Sequence, residues 1–159
     1  MLVLPRAAYD RVVDHARRGA PAEVCGLLGG RVETDDDGER VARVEALREA
    51  TNAADDPETV YRIDPGEQFE LVEAIEDDGH EVVGFYHSHP RGPTVPSETD
   101  ADRATWPGLS YAIACLDGAP YVGSWRWTGA DFEQEAVRVV SGHGPGSGPA
   151  AQFRDGEAE

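Results

Sequence analysis

Glu81-Val-Val-Gly-Phe-Tyr-His-Ser-His-Pro90 decides the fold of this chain. Its apolar run is nearly continuous, the pattern of a strand covered on both faces and therefore central in its sheet. Strand side chains alternate, so His87 and His89 leave the strand on one face. Pro90 ends the strand, and Pro90, Gly92, Pro93 and Pro96 make the connection a stiff loop. Ser97-Glu-Thr-Asp100 then begins a helix as a capping box, with Asp in the place of the usual Glu or Gln. Asp100 falls in the first helical turn, where the helix dipole favours a carboxylate.

Working outward, residues 5–18 predict a first helix, with Ala8, Tyr9, Val12, Val13 and Ala16 at helical spacing and Pro5 near its start. Residues 24–30 are a glycine-rich apolar strand, in which the glycines allow close approach of other backbone. Asp35-Asp-Asp-Gly38 is a turn leading to a returning strand over 41–47. A short strand is expected at 59–63, a helix from Pro65 to the stop at Gly79, and strands at 109–116, 121–127 and 132–140. Residues 1–140 form one domain, and 141–159, rich in Gly, Pro and acid, are expected to be a disordered tail. Helices interleaved with hairpins predict a mixed α/β sheet sandwiched by helices.

The 159 residues carry 31 acids and 14 bases, a net charge of −17. Every base is arginine; the chain has no lysine. Such a field repels phosphate, which argues against a nucleic-acid partner. No apolar run reaches the ~20 residues of a membrane helix, and residues 1–6 do not resemble a signal peptide, so a cytoplasmic protein without a membrane partner is expected. The acids are spread along the chain, as in proteins of a salt-loving cytoplasm. At ~1 M salt the Debye length is about 3 Å and self-repulsion is screened. A mesophilic protein from a GC-rich genome is the alternative.

Two histidines and one aspartate would hold a metal and leave a fourth position open, the arrangement of a catalytic zinc; iron or manganese suit the same ligands. Alternatively the histidines are polar strand-end residues. Metal-assisted hydrolysis needs a base, and Glu23, ahead of the 24–30 strand, is the candidate; as a loop acid it could equally be solvated. The Ser97 hydroxyl could stabilise an oxyanion or simply cap the helix.

Glu23 within Pro-Ala-Glu-Val-Cys-Gly-Leu-Leu-Gly-Gly30, His87-Ser-His89, seven residues beginning with Pro90, and Ser97-x-x-Asp100 together resemble the JAMM (MPN-plus) metalloprotease family. Asn52-Ala and Tyr61-Arg-Ile-Asp-Pro65 also resemble its intervening segment, and the likeness covers roughly residues 1–128. The resemblance implies a cytidine-deaminase-like fold and one Zn2+ held by His87, His89 and Asp100. It makes Glu23 the general base and acid, with Ser97 at the oxyanion. It also implies substrates that are ubiquitin-like modifiers joined by a C-terminal Gly-Gly to a lysine. With the halophile-like composition, it points to desampylase activity on archaeal modifiers. Two other readings stay open: a peptidase trimming a sulfur-carrier protein, or a non-catalytic scaffold. A nucleoside deaminase is set aside because the Pro-Cys-x-x-Cys ligand pair is missing.

Other residues have weaker claims. Cys25 and Cys115 are expected as buried thiols, with a disulfide unsupported. His15 and His80 are expected at the surface, and Trp106, Trp125 and Trp127 either in a peptide groove or in the core.

Overall fold

The computed structural model describes residues 1–117 and 120–141. Along the chain run β1 (Leu2–Pro5), α1 (Arg6–Gly19), β2 (Cys25–Thr34), β3 (Arg40–Ala50), α2 (Pro65–Asp77) and β4 (Glu81–His89). Then follow α3 (Glu98–Arg103), β5 (Ser110–Cys115), β6 (Tyr121–Trp127), β7 (Phe132–Glu135) and β8 (Val137–Val140). The eight strands form one mixed sheet in the order β7-β6-β5-β4-β2-β3-β1-β8. β4 lies inside it, antiparallel to β2 and parallel to β5, as its apolar run required. The expected mixed sheet flanked by helices is the fold observed.

The sheet separates two cores. On one side α1 inserts Ala8, Val12, Val13 and Ala16 among Leu2, Leu4, Leu28, Leu47 and Tyr86. On the other, Ile75 of α2 packs with Leu27, Phe85, Tyr111 and Trp127. Alternation along β4 sends Tyr86 to the first core and Phe85 to the second. The last strand pair joins both sheet edges: β7 pairs with β6, β8 pairs with β1, and Leu2 N donates to Ala136 O between them at 2.8 Å. The sheet therefore curls around α1, which touches β1, β3, β4, β5, β6 and β8.

The glycines of β2 have the expected cause. A Cβ on Gly26 would meet the Arg48 carbonyl at 2.5 Å and the Tyr86 ring, and one on Gly30 would strike the Arg43 carbonyl.

Four expectations need correction. Residues 2–5 are a strand, β1, so Pro5 precedes the helix instead of opening it. Residues 59–63 are not a strand, because their backbone groups go to Asn52 and Ala53 and not to a ladder. The 132–140 strand is two strands split at Ala136. His15 and His80 are not surface residues: their side chains are only 11% and 12% exposed, facing Glu49 and Glu45. The tail expected at 141–159 lies outside the described residues except for Ser141. Among the described residues no helix is long and apolar enough to cross a membrane.

Candidate metal centre

His87 and His89 end β4 on one face, and both are buried. The Asp100 carboxylate meets them from α3. The three contacts among His87 Nε2, His89 Nε2 and Asp100 Oδ2 are each 3.2 Å, an equilateral triangle. Zinc bonds of 2.0–2.1 Å at tetrahedral angles separate neighbouring ligand atoms by about 3.3–3.4 Å, so the triangle has the size of one tetrahedral face.

With both histidines neutral, hydrogen bonding does not satisfy these atoms. His89 Nδ1 is 3.0 Å from the Pro93 carbonyl, to which it can only donate. A neutral His89 then has a bare lone pair on Nε2, directed at an acidic oxygen and at a second imidazole. Without a metal, a proton on His89 answers this, and the Asp100 and Pro93 contacts raise its pKa against the opposing effect of burial. A divalent cation would displace that proton. His87 is pushed the other way, its pKa lowered by burial, and its Nδ1 has no hydrogen-bond partner. The donor set and its spacing fit a metal ion.

Asp100 is fixed by the capping box foreseen in the sequence. Ser97 N donates to Asp100 Oδ2 at 2.8 Å, and Asp100 N donates to Ser97 Oγ at 3.0 Å. Burial opposes ionisation of Asp100, but its hydrogen bonds from His87, His89 and Ser97 N hold the carboxyl far below the usual carboxylate range. The Ser97 hydroxyl accepts in its capping role, so its own proton remains available. Capping thus leaves the hydroxyl proton free for a second contact.

Glu23 arrives from the strand beside β4, just before Cys25, which pairs with His87. A Glu23 oxygen and one ring nitrogen from each histidine lie within 4.8 Å of one another. This wider set could also offer ligands, but the triangle with Asp100 is tighter. Glu23 is 6% exposed and its Oε1 has no hydrogen-bond partner. Burial pushes its pKa up to about 7, with His89 opposing and Asp100 adding to the rise. A carboxyl there can both take and return a proton near neutral pH. Glu23 is thus not the solvated loop acid that its sequence position also allowed.

Two residues of this architecture had no role assigned from sequence. Asn52 Nδ2 donates to Glu23 O at 2.9 Å and to Val60 O at 3.0 Å, while its Oδ1 accepts from Ala54 N and Arg62 N at 3.0 and 3.1 Å. It thereby ties the Glu23 backbone to the segment carrying Tyr61, whose ring stacks on His87 at 4.5 Å. The Asx turn from Asn52 to Ala54 is a local sequence habit; the long-range donations are not. Ser88, between the histidines, accepts from Val24 N at 2.9 Å and steadies the same junction. Cys25 and Cys115 are free and buried, and burial pushes the Cys25 thiol up to about 12. Trp125 and Trp127 are core, whereas Trp106 lines a cavity.

Residues 5–128 match the family model described as prokaryotic homologs of the JAB domain. The chain is 43% identical over 142 residues to a desampylase of Haloferax volcanii, covering 87% of this chain and 96% of that protein. It is 38% identical over 143 residues to a CysO-cysteine peptidase of Mycobacterium tuberculosis, covering 88% and 92%. Its fold is similar to the solution structure of a Desulfitobacterium hafniense protein, with a TM-score of 0.77, 32% identity and coverage of 89% and 94%.

Proposed function

The chain belongs to the prokaryotic JAB-domain family, and from that membership we propose that it is a zinc-dependent isopeptidase. Its substrate is a ubiquitin-like modifier joined through a C-terminal Gly-Gly to a lysine, and its setting is the cytoplasm of a salt-loving archaeon. The observation that carries this is the 3.2 Å triangle of His87, His89 and Asp100 with the unpartnered, buried Glu23 carboxylate beside it. The desampylase relative supports the modifier-conjugate substrate, and the lysine-free composition with its charge of −17 supports the saline setting.

In this mechanism His87, His89 and Asp100 hold one Zn2+. Bound there, zinc supplies Lewis acidity, which brings the pKa of water toward about 7 and polarises a carbonyl. Glu23 takes the proton as water's oxygen bonds to the scissile carbonyl carbon. The Ser97 hydroxyl donates to the oxygen on which negative charge develops. Glu23 then gives its proton to the lysine nitrogen as the C–N bond breaks. The products are a modifier with a free Gly-Gly carboxylate and a free amine. Asn52 and Ser88 keep Glu23 at its post through the whole cycle.

The test is cleavage of a Gly-Gly–lysine isopeptide conjugate in molar KCl, with and without a chelator. Chelator-sensitive release of the intact modifier is expected. Failure by a zinc-loaded, folded protein would overturn the proposal and favour a peptidase trimming a carrier protein, which the CysO-cysteine peptidase relative supports.

A further inference from the structure

A cavity of about 160 Å³ lies next to the metal centre. Phe85 and Tyr111, each 5% exposed, are its deepest side chains; Tyr61 and Trp106 wall it, and the exposed Arg62 and Arg103 stand at its rim. Phe85 precedes His87 by two residues on the same face of β4, about 6.6 Å along a strand. Tyr61 belongs to both places, lining the cavity and stacking on His87. The volume is below the ~300–1,000 Å³ of drug-sized ligand pockets, a size for peptide side chains.

The charge at this rim runs against the rest of the molecule. Acids outnumber bases by 31 to 14, and most of the described arginines are engaged: Arg6, Arg11, Arg18, Arg31, Arg40, Arg43, Arg48 and Arg126 all contact carboxylates. Arg62 and Arg103 have no such contact; neither do Arg17, Arg91 and Arg138, but only Arg62 and Arg103 line the cavity. Among the described residues their side chains bond only to carbonyls, Arg62 to Ala53 O at 2.7 Å and Arg103 to Tyr61 O at 3.3 Å. The nearby Asp64 is turned away to cap α2 through Gly66 N and Glu67 N. Two guanidiniums without a counter-charge, on one aromatic-lined cavity in so acidic a chain, call for an anionic ligand with an apolar body.

We propose that this cavity is a specificity subsite for the tail of the modifier, holding an apolar side chain with an adjacent carboxylate two to three residues before the Gly-Gly end. The proposal rests on the isopeptidase reading above. The acyl side of the cleaved bond is favoured by the elements involved. Ser97, assigned to the carbonyl oxygen, caps α3, and Arg103, Thr105 and Trp106 follow on that same stretch of chain. Glu23, assigned to the leaving amine, enters instead from beside β2. At about 3.3 Å per extended residue, the cavity is two to three residues from the reacting carbonyl.

The test compares the parent with the double variant Arg62→Gln/Arg103→Gln. The substrates are Gly-Gly–lysine isopeptides whose tails carry Leu-Glu, Leu-Gln or Ala-Ala ahead of the glycines. The variant should raise KM about tenfold or more for the Leu-Glu tail and less than about twofold for Leu-Gln. The parent should prefer Leu-Glu to both other tails. Equal effects on the acidic and neutral tails, or none, would overturn the subsite. A second arm offers Gly-Gly joined to an amino acid with a free or an amidated α-carboxylate. If the arginines discriminate only that pair, the carboxylate belongs to the leaving group and the modifier-tail assignment is wrong. Metal content and Tm of the variant establish that it is folded. If the parent cleaves no conjugate, the isopeptidase reading falls. Binding of Leu-Glu and Leu-Gln tail peptides ending in Gly-Gly, read by tryptophan fluorescence, then still decides whether the cavity selects a carboxylate.

Discussion

β4 carries two polar clusters back to back, and they differ in how their charges are matched. On its α1 side, Tyr86 OH and His15 Nδ1 are 2.8 Å apart, and Glu49 gathers His15, Arg11 and Arg18. There one acid draws two guanidiniums and an imidazole, and an Arg11 nitrogen is the buried atom without a hydrogen-bond partner. On the other side, His87, His89, Asp100 and Glu23 have no arginine among them, three of their atoms converge at 3.2 Å, and His87 Nδ1 and Glu23 Oε1 have no hydrogen-bond partner. Histidine and carboxylate alone do not separate a structural network from a candidate metal centre. What separates them is whether a cation of the protein's own faces the carboxylate, as Arg11 and Arg18 face Glu49.

The sharpest way to break this comparison is one truncation on each side. Asp100→Ala should lose bound metal and at least about 10³-fold in turnover, since ligand set and activity fail together. His15→Phe should keep full metal content, measured by elemental analysis. Comparable loss of activity in both would erase the distinction.

Glu23→Gln comes next, with a loss of about 10²–10⁴-fold in kcat and metal retained. Its effect on stability has the opposite sign. The pKa of Glu23 is raised in the folded state from 4.5 to about 7, so the folded protein binds this proton more tightly than the unfolded chain. Its contribution to the stability of chelated protein is therefore lost as pH rises through that window. At pH 8, chelated Glu23→Gln should melt higher than the parent, by about 2 °C or more on a scan. A lower melt would deny that the carboxylate is buried without compensation.

Ser97→Ala should cost about 10²–10³-fold in kcat if its proton serves the oxyanion. Its capping role alone is worth ~1 kcal/mol of stability. A variant that melts lower but turns over normally would leave only the cap.

Asn52→Asp changes one atom. It keeps the acceptor for Ala54 N and Arg62 N and loses the donor to Glu23 O and Val60 O. We expect about a tenfold fall in kcat with little change in metal content or KM, because a displaced base slows the step it performs. The smallest effect belongs to the other cluster. Burial lowers the pKa of His15 from 6.5, so its stabilising contribution is complete above that pH and is lost as pH falls below it. In His15→Phe the fall of Tm below about pH 6.5 should be shallower.

The sequence exposed part of this arrangement because part of it is local. His87 and His89 share a face by strand alternation, and Ser97 to Asp100 declares its own capping box; neither needs a distant partner. Glu23 was different. Its spacing from the histidines carries no period, and only family resemblance singled it out from the other acids. Residues 59–63 read as a strand because Val60, Tyr61 and Ile63 suit one, yet Asn52 claims their backbone. β1 went unread because four residues beside a helix carry too short a pattern to count. His15 and His80 read as surface residues because Glu49 and Glu45, which face them, lie about 35 residues away along the chain.

By itself, then, the sequence determined the strand that presents the two imidazoles, the helix cap that presents the aspartate, and the acidic, lysine-free surface. These follow from periodicity, capping chemistry and composition, which act over a few residues or over the whole chain at once. The tertiary structure alone decided that β2 pairs with β4 and brings Glu23 to the histidines, and that Asn52 ties that junction to Tyr61. It also gathered Arg62 and Arg103 around one aromatic cavity. Burial, pKa and the balance of donors against acceptors belong to groups far apart in the chain, and they acquire values only when packing removes the water between them.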